Sequence, residues 1–273
     1  MATITAAMVK ELREITSAAM MDCKKALGET DGDMEAAKEI LRKKGQASAD
    51  KKSSRDTKEG AICIAQEGNK AAMLKVACET DFVAINDDFQ NFVGSMATKA
   101  MEVGMDQFET ASKEDFVGAI AKMGENMVVA EGQVWETNGG VIGGYIHGKG
   151  KIGVLVELSN DGANAEKALE AARGLAMHIA ASQVEAISAD DLDPQVLEKE
   201  KAFLIDQAKD SGKPIEIIEK MVVGRLQKFK KEICLLDQSF VREPDKSVSA
   251  WLAAQAKEAG GTLKVTKFYK ASF

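Results

Sequence analysis

Few residues in this sequence have the types and spacing that chemistry on a substrate requires. There are two histidines, His147 and His178, without an HExxH motif, and the four cysteines are isolated rather than paired as CxxC. Zinc sites draw several ligands from such residues, and serine hydrolases need a histidine beside the nucleophile. The sequence therefore predicts no catalytic residue, no metal site, no cofactor and reduced thiols, although its many carboxylates leave a paired-acid site open.

One glycine-rich stretch, GKGKIG at 148–153, matches the GxGxxG pattern of dinucleotide-binding folds. In those folds the glycines follow a strand and open a helix. Here they precede a strand-like run, so a hairpin turn is the better interpretation. No GxxxxGK[ST] motif is present, so the chain is not itself a P-loop nucleotide hydrolase.

The remaining candidate is an aromatic side chain among acids, in CETDFVAINDDF at 78–89. Phe82 directly follows Asp81, and phenylalanine occurs only 10 times in 273 residues. Because single aromatic side chains dominate the binding energy of many interfaces, we expect Phe82 to be an outward-facing anchor for a partner protein. The alternative is that Phe82 packs its own loop onto the following helix.

An internal repeat with an offset of 80 residues frames these stretches. Segments 59–78 and 139–158 each contain two strand-like runs joined by a glycine-containing turn, which predicts a hairpin. Apolar residues at helical spacing follow both segments, so each copy is predicted to be a ββα unit. The position that Phe82 occupies holds Gly162 in the second copy, so the fold alone does not require an aromatic side chain there.

The sequence before the repeat predicts a helical module. Residues 3–45 indicate three short helices, with Thr5 as the first N-cap and Gly45 ending the third. The apolar face of the first helix would carry Met8, Val9, Leu12 and Ile15. Residues 46–58 are small, polar and charged, which indicates a linker.

Helices are also predicted between and after the two copies. Residues 106–131 have helical spacing, and Asp193-Pro194 opens a helical hairpin that the breaker DSGKP divides. Such a hairpin either packs on the core or projects as an arm. Runs at 233–241 and 262–269 are strand-like and are predicted to complete the second sheet, with a short helix between them.

Together these elements predict an α+β protein. It would contain an N-terminal three-helix module, a core of two related sheet-plus-helix subdomains and an inserted antiparallel helical hairpin. The predicted boundaries are 1–54 for the module and linker, 55–138 for subdomain 1, 139–190 with 232–273 for subdomain 2, and 191–231 for the hairpin.

Composition limits the classes of partner. The chain is 45% hydrophobic, as globular proteins with buried cores are, and its net charge of −7 argues against nucleic acid as the main partner. A nucleic-acid site on the basic residues around 43–55 is the least favoured hypothesis. The sequence has no secretory signal and no run of about 18 apolar residues, so we expect a cytoplasmic protein without membrane contact.

Two long motifs resemble signatures of the bacterial elongation factor Ts family: LREITSAAMMDCKKAL at 12–27 and KVACETDFVA at 75–84. HGKGKIGVLV, MHIAAS and SGKPIEIIEKMVVGRLQKF resemble further family segments in the same order. The resemblance implies a non-enzymatic guanine-nucleotide exchange factor that binds the GTPase elongation factor Tu and promotes release of GDP and Mg²⁺, so that GTP can bind. It also implies a ubiquitin-associated-like N-terminal module and a hairpin used in homodimerisation.

The same resemblance implies which residues bind the partner. Asp81 and Phe82, flanked by Thr80 and Val83, would enter the GTPase domain near its magnesium and phosphate site, and His178 would assist at the interface. The module residues that would face the GTPase are Lys10, Leu12, Arg13, Met20 and Met21. The competing hypothesis is a scaffold that uses the module and the hairpin only to hold partners together.

Overall fold

The structure is a computed structural model that describes residues 3–16, 18–209 and 215–273, without the side chains of 208, 209 and 215–219. Helices and strands are mixed throughout, which is consistent with the predicted α+β class. The chain forms two compact units: the first holds residues up to Glu136 with Ile146–Gly153 and Ala271–Phe273, and the second holds Thr137–Tyr145 and Val154–Lys270. The finer domain boundaries remain a prediction.

The predicted N-terminal module begins the first unit as three helices: α1 (Ala6–Thr16), α2 (Met20–Glu29) and α3 (Met34–Lys52). Thr5 caps α1, as predicted, because its hydroxyl accepts the Met8 N–H at 3.2 Å. The three helices share a small apolar core, formed by Val9, Leu12, Cys23, Ala26, Leu27, Ala37 and Leu41.

Gly45 does not end the third helix, and most of the predicted linker is helical. Helix α3 continues to Lys52, and Ala49 is buried in the core of the first sheet. A Cβ at Gly45 would lie 3.1 Å from Val117 Cγ1, so α3 approaches a neighbouring helix closely at this position. Packing of α3 on that helix outweighs the weak helix propensity of a single glycine.

The first repeat copy forms a three-stranded sheet in the order β1-β2-β3. Its strands are β1 (Glu59–Glu67), β2 (Lys70–Cys78) and β3 (Met127–Glu136). Three helices accompany it: α4 (Asp81–Ala84), α5 (Asp87–Val103) and α6 (Met105–Met123). Strands β1 and β2 pair antiparallel, with Glu59 opposite Cys78, which confirms the predicted hairpin. Helix α5 packs on both strands, and α6 packs on α5 and α3.

The predicted helix over 106–131 is wrong beyond Met123. Gly124 adopts φ +81°, and its N–H bonds to the Ile120 carbonyl at 3.0 Å, which ends α6. The apolar run that follows begins at Met127 and pairs with β2 as a strand. A run of four apolar residues has no period, so it does not distinguish a helix end from a buried strand.

The second copy forms the sheet β4-β5-β8. Its strands are β4 (Val141–His147), β5 (Ile152–Asp161) and β8 (Thr262–Ser272), and its helices are α7 (Ala165–Ala181) and α10 (Val248–Ala259). The GKGKIG stretch is the β4–β5 turn, as predicted, with positive φ at Gly148, Lys149 and Gly150. Gly143 has no room for a Cβ, which would lie 2.5 Å from the Ala172 backbone of α7.

The strand predicted at 233–241 does not join this sheet. A 3-10 turn covers Leu235–Asp237, and Ser239–Phe240 (β6) pairs with Glu243–Ser247 (β7) as a separate two-stranded sheet. The Phe240 ring stacks on Trp251 with centroids 4.0 Å apart, so the segment is held by aromatic packing on α10.

The predicted helical hairpin is formed by α8 (Pro194–Lys209) and α9 (Ile215–Ile233), which pack on each other. The Asp193 carboxylate accepts the Gln195 N–H at 2.9 Å at the start of α8. The breaker DSGKP at 210–214 lies outside the described residues. Among the helices in the described part of the chain, none is long and apolar enough to cross a membrane.

Candidate functional site

Phe82 is the most exposed large apolar side chain in the described part of the protein, at 79%. It lies in α4, a single helical turn directly after β2. Val83 and Ala84 point the other way and pack in the core of the first unit. Asp81 is exposed beside Phe82. The alternative that Phe82 packs its loop onto α5 is therefore wrong, because the ring lies in solvent.

Thr80 begins this helical turn. Its hydroxyl accepts the Val83 N–H at 3.3 Å, and its carbonyl accepts the Ala84 N–H at 3.1 Å. These bonds satisfy amide groups that the first turn of a helix leaves without partners. Thr80 thus connects the end of β2 to the turn that carries Phe82.

Glu125, from the turn between α6 and β3, holds the segment before α4. Its Oε2 accepts the backbone N–H groups of Glu79 and Thr80, both at 3.0 Å, and its Oε1 accepts the Thr80 hydroxyl at 2.6 Å. Hydrogen bonds to an ionised carboxylate are stronger than neutral ones. One side chain therefore fixes two successive peptide groups and the capping hydroxyl.

A second carboxylate ties the same two segments in the opposite direction. Glu79 Oε1 accepts the Asn126 N–H at 2.6 Å, and Arg55 pairs with Glu79 at 3.3 Å. The buried Asn126 side chain donates to the Arg55 carbonyl at 3.0 Å. Three chain segments therefore meet behind the turn and restrict its movement.

Cys78, just ahead of this segment, has a structural role. Its thiol donates to the Thr80 carbonyl, with Sγ and O 3.3 Å apart. Burial, reinforced by the nearby Glu125 carboxylate, raises the pKa of Cys78 to about 12. The thiol is therefore protonated at neutral pH and unsuited to act as a nucleophile. All four cysteines are free, as predicted.

The far end of the turn is also fixed. Gln90 donates from Nε2 to the Ala84 carbonyl at 2.6 Å and to the Lys149 carbonyl at 3.2 Å. Ile85, three residues after Phe82, is 53% exposed. Residues three apart lie on the same side of a helical turn, so Ile85 extends the apolar surface that Phe82 begins.

The N-terminal module carries a second exposed apolar surface. Met20 and Met21 at the start of α2 are largely exposed, and so is Ile15 near the end of α1. Lys10 and Arg13 are exposed on α1. Four of the five module residues that the resemblance implies are thus accessible, and Ile15, predicted for the apolar face, is accessible too.

Leu12 is the exception on the module. It is completely buried among the three helices, so its side chain is not accessible to a partner in the free chain. Its spacing from Val9 already placed both on the inner face of α1. Leu12 supports the surface from within, because it fixes α1 against α2 and α3.

His178 lies in α7 of the second unit and is 1% exposed. Its Nδ1 accepts the Val241 N–H at 3.2 Å, so Nε2 carries the proton and donates to Gln238 Oε1 at 2.8 Å. Burial lowers the pKa of His178, and the Gln238 bond opposes that shift. The His178 side chain is therefore not accessible to a partner in the free chain. Val241, whose backbone N–H donates to His178, is exposed.

The structure brings Thr80, Asp81, Phe82 and Val83 together in one short turn. Sequence reasoning missed Glu125 and Ile85. A lone glutamate after Gly124 carries no motif, and its contacts lie 45 and 46 positions away in the chain. Within the described residues, no group of three or more His, Cys, Asp or Glu side chains is arranged to hold a metal ion.

Comparisons with known proteins agree on one family. A family model described as elongation factor TS matches residues 79–272. The elongation factor Ts of Hydrogenovibrio crunogenus is 50% identical over 263 residues, which cover 92% of this chain and 87% of the relative. That of Magnetococcus marinus is 45% identical over 276 residues, which cover 97% and 91%. That of Bartonella tribocorum is 45% identical over 284 residues, which cover 98% and 92%.

Proposed function

The chain belongs to the elongation factor Ts family, and on that premise we propose that it is a guanine-nucleotide exchange factor for elongation factor Tu. It would bind the GDP form of that GTPase and promote release of GDP and Mg²⁺, after which GTP binds and displaces it. No covalent bond is made or broken, so the protein needs no catalytic residue and no cofactor of its own. Protein synthesis in the cytoplasm is the process it would serve.

The proposed mechanism is thermodynamic coupling between two ligands of the GTPase. GTPases hold nucleotide phosphates with a backbone cradle at a helix N-terminus and with Mg²⁺. A factor that binds the empty GTPase more tightly than the GDP form must weaken GDP binding by the same ratio. The function therefore requires a contact that the nucleotide-bound form cannot accommodate.

Phe82 would make that contact. Its exposed ring, inserted between helices of the GTPase domain, would shift packed elements that have discrete arrangements rather than deforming smoothly. Burial of an aromatic anchor stabilises an interface by about 2–4 kcal/mol. That free energy corresponds to roughly 30- to 1000-fold in an equilibrium constant, which is the scale that displacement of a nucleotide needs.

The neighbouring residues would have supporting roles. Asp81, exposed beside Phe82, would compete for hydrogen bonds near the magnesium site. The module surface of Lys10, Arg13, Met20 and Met21 would dock on the same GTPase domain. His178 would act indirectly, since it holds the backbone of the exposed Val241.

The observation that carries this proposal is the position of Phe82, largely exposed on a turn that is fixed at both ends. The test is release of fluorescent GDP from elongation factor Tu with sub-stoichiometric amounts of this protein. An exchange factor turns over, so it should accelerate release from a large excess of GTPase many-fold. No acceleration of GDP release by sub-stoichiometric protein would favour the scaffold hypothesis.

The hairpin supports a second, compatible proposal. Phe203 in α8 and Val223 in α9 are both about 60% exposed on helices that already pack on each other. Contiguous apolar patches on a surface mark interaction sites, and these two side chains would contribute to such a patch. We propose that the hairpin contributes to homodimerisation, which would leave the Phe82 turn to the GTPase.

A further inference from the structure

We propose that Glu125 is a positioning residue for exchange: it holds the Phe82 turn in its binding conformation before the partner arrives. The inference rests on the proposed function and extends it to a residue outside the resembling motifs. It starts from the three hydrogen bonds that one carboxylate accepts from Glu79 and Thr80.

The direction of these bonds determines the cap of α4. An ionised carboxylate only accepts hydrogen bonds, so the Thr80 hydroxyl must donate its single hydrogen to Glu125. Its lone pairs then remain available for the Val83 N–H at 3.3 Å. Without Glu125 the hydroxyl can rotate and donate elsewhere, which weakens the bond that starts the turn.

Glu125 is itself held in place. It follows Gly124, whose left-handed conformation ends α6. Asn126, on its other side, is buried. Its backbone N–H donates to the Glu79 carboxylate, and its side-chain amide donates to the Arg55 carbonyl. The carboxylate is therefore attached to the end of a helix and the start of a strand, which are rigid parts of the first unit.

The turn needs such support because it is too short to be stable alone. A helix of four residues forms at most one or two internal hydrogen bonds, whereas nucleation of an isolated helix is unfavourable. A side chain that is ordered before binding loses less conformational entropy when the complex forms. Because the Glu125 hydrogen bonds order the turn in advance, less of the free energy gained by burying Phe82 is lost to ordering, and the affinity is higher.

Glu125→Gln tests this role with almost no change in shape. The glutamine oxygen, in place of Oε2, can still accept the Glu79 and Thr80 amides, but the NH₂ group, in place of Oε1, cannot accept the Thr80 hydroxyl. We expect the Kd for nucleotide-free elongation factor Tu, measured by calorimetry, to rise about tenfold. The matched control is Glu109→Gln, an exposed glutamate on α6, which should leave the Kd within about twofold.

The second step repeats the substitution in a Phe82→Ala background. If Glu125 acts through Phe82, Glu125→Gln should then change the Kd by less than about twofold. An equal loss in both backgrounds, or no loss in the wild-type background, overturns the inference. Should Glu125→Gln fail to melt cooperatively, Thr80→Val removes the hydroxyl link instead and must show the same dependence on Phe82.

Failure of the proposed function gives a different result. In that case the wild-type protein itself would not accelerate GDP release. Acceleration by wild type together with an unchanged Kd for Glu125→Gln refutes the positioning role alone.

Discussion

At the residue scale, accessibility in the free chain separates side chains that can bind a partner from those that support them. Phe82 lies in solvent, whereas Leu12 and His178 are buried, although the family resemblance implies partner contacts for all three. The internal repeat pointed to Phe82, because Gly162 fills the same position without an aromatic ring. It could not reveal burial of His178, which depends on Gln238 and Val241, 60 and 63 positions away.

His178 leads to a prediction about pH. Its neutral ring accepts the Val241 N–H, and burial lowers its folded pKa below the unfolded value of about 6.5. Below that pH the unfolded chain binds more protons, so the free energy of unfolding falls as the pH is lowered from about 7 towards 5. Above pH 7 the contribution is fully present.

Thermal denaturation across this pH range provides the measurement. The Tm of the wild type should fall more steeply than that of His178→Asn, which lacks the titrating ring. At neutral pH the variant should be less stable by about 1–3 kcal/mol, because Gln238 and the Val241 amide lose a buried partner. Parallel pH profiles would contradict the account.

At the element scale, the two ββα units and the helical hairpin follow from periodicity and turn residues alone. Ala72, Leu74, Val76 and Cys78 alternate along β2 and all lie in the core of the first unit. Other elements depend on tertiary contacts that no local pattern contains. The glycine at position 45 predicts a helix end, but it lies where α3 packs on α6. The Glu125 side chain bonds to residues 45 and 46 positions away in the chain.

Gly45 provides a test of that helix contact. A side chain at this position would meet Val117 at 3.1 Å, so Gly45→Leu should force α3 away from α6 and destabilise the first unit by about 1–3 kcal/mol. Gly94→Leu in α5 is the matched control, because a Cβ there meets nothing within 4 Å. Chemical denaturation of both variants measures the difference, and equal stability would show that the contact is loose.

At the scale of the whole molecule, exchange and self-association are assigned to different parts of the chain. The base of the hairpin packs in a cluster that includes Leu192, Ile233 and Cys234, with Leu197 and Phe229 against it. The outer part carries the exposed Phe203 and Val223. The hairpin is therefore rooted in the second unit but could be shortened beyond its base.

Replacement of residues 200–226 by a short glycine-serine linker tests this division. The truncated protein should keep the cooperative melting of the remaining fold, because the cluster at the base is intact. Sedimentation equilibrium should show weaker self-association than in the full chain. Loss of cooperative melting would mean that the outer hairpin is part of the fold, and a monomeric full chain would refute the dimer proposal.

The central claim is that Phe82 is the anchor that drives nucleotide release. The direct measurement is the rate of fluorescent GDP release from elongation factor Tu with the wild type, with Phe82→Ala and with Val128→Ala, which shortens another exposed apolar side chain in β3. Phe82→Ala should retain the wild-type Tm but slow the accelerated release by about 30-fold or more, the effect of losing about 2 kcal/mol of anchor burial. With Val128→Ala, GDP should leave elongation factor Tu at the same rate as with the wild type. If GDP leaves elongation factor Tu as fast with Phe82→Ala as with the wild type, the account is contradicted.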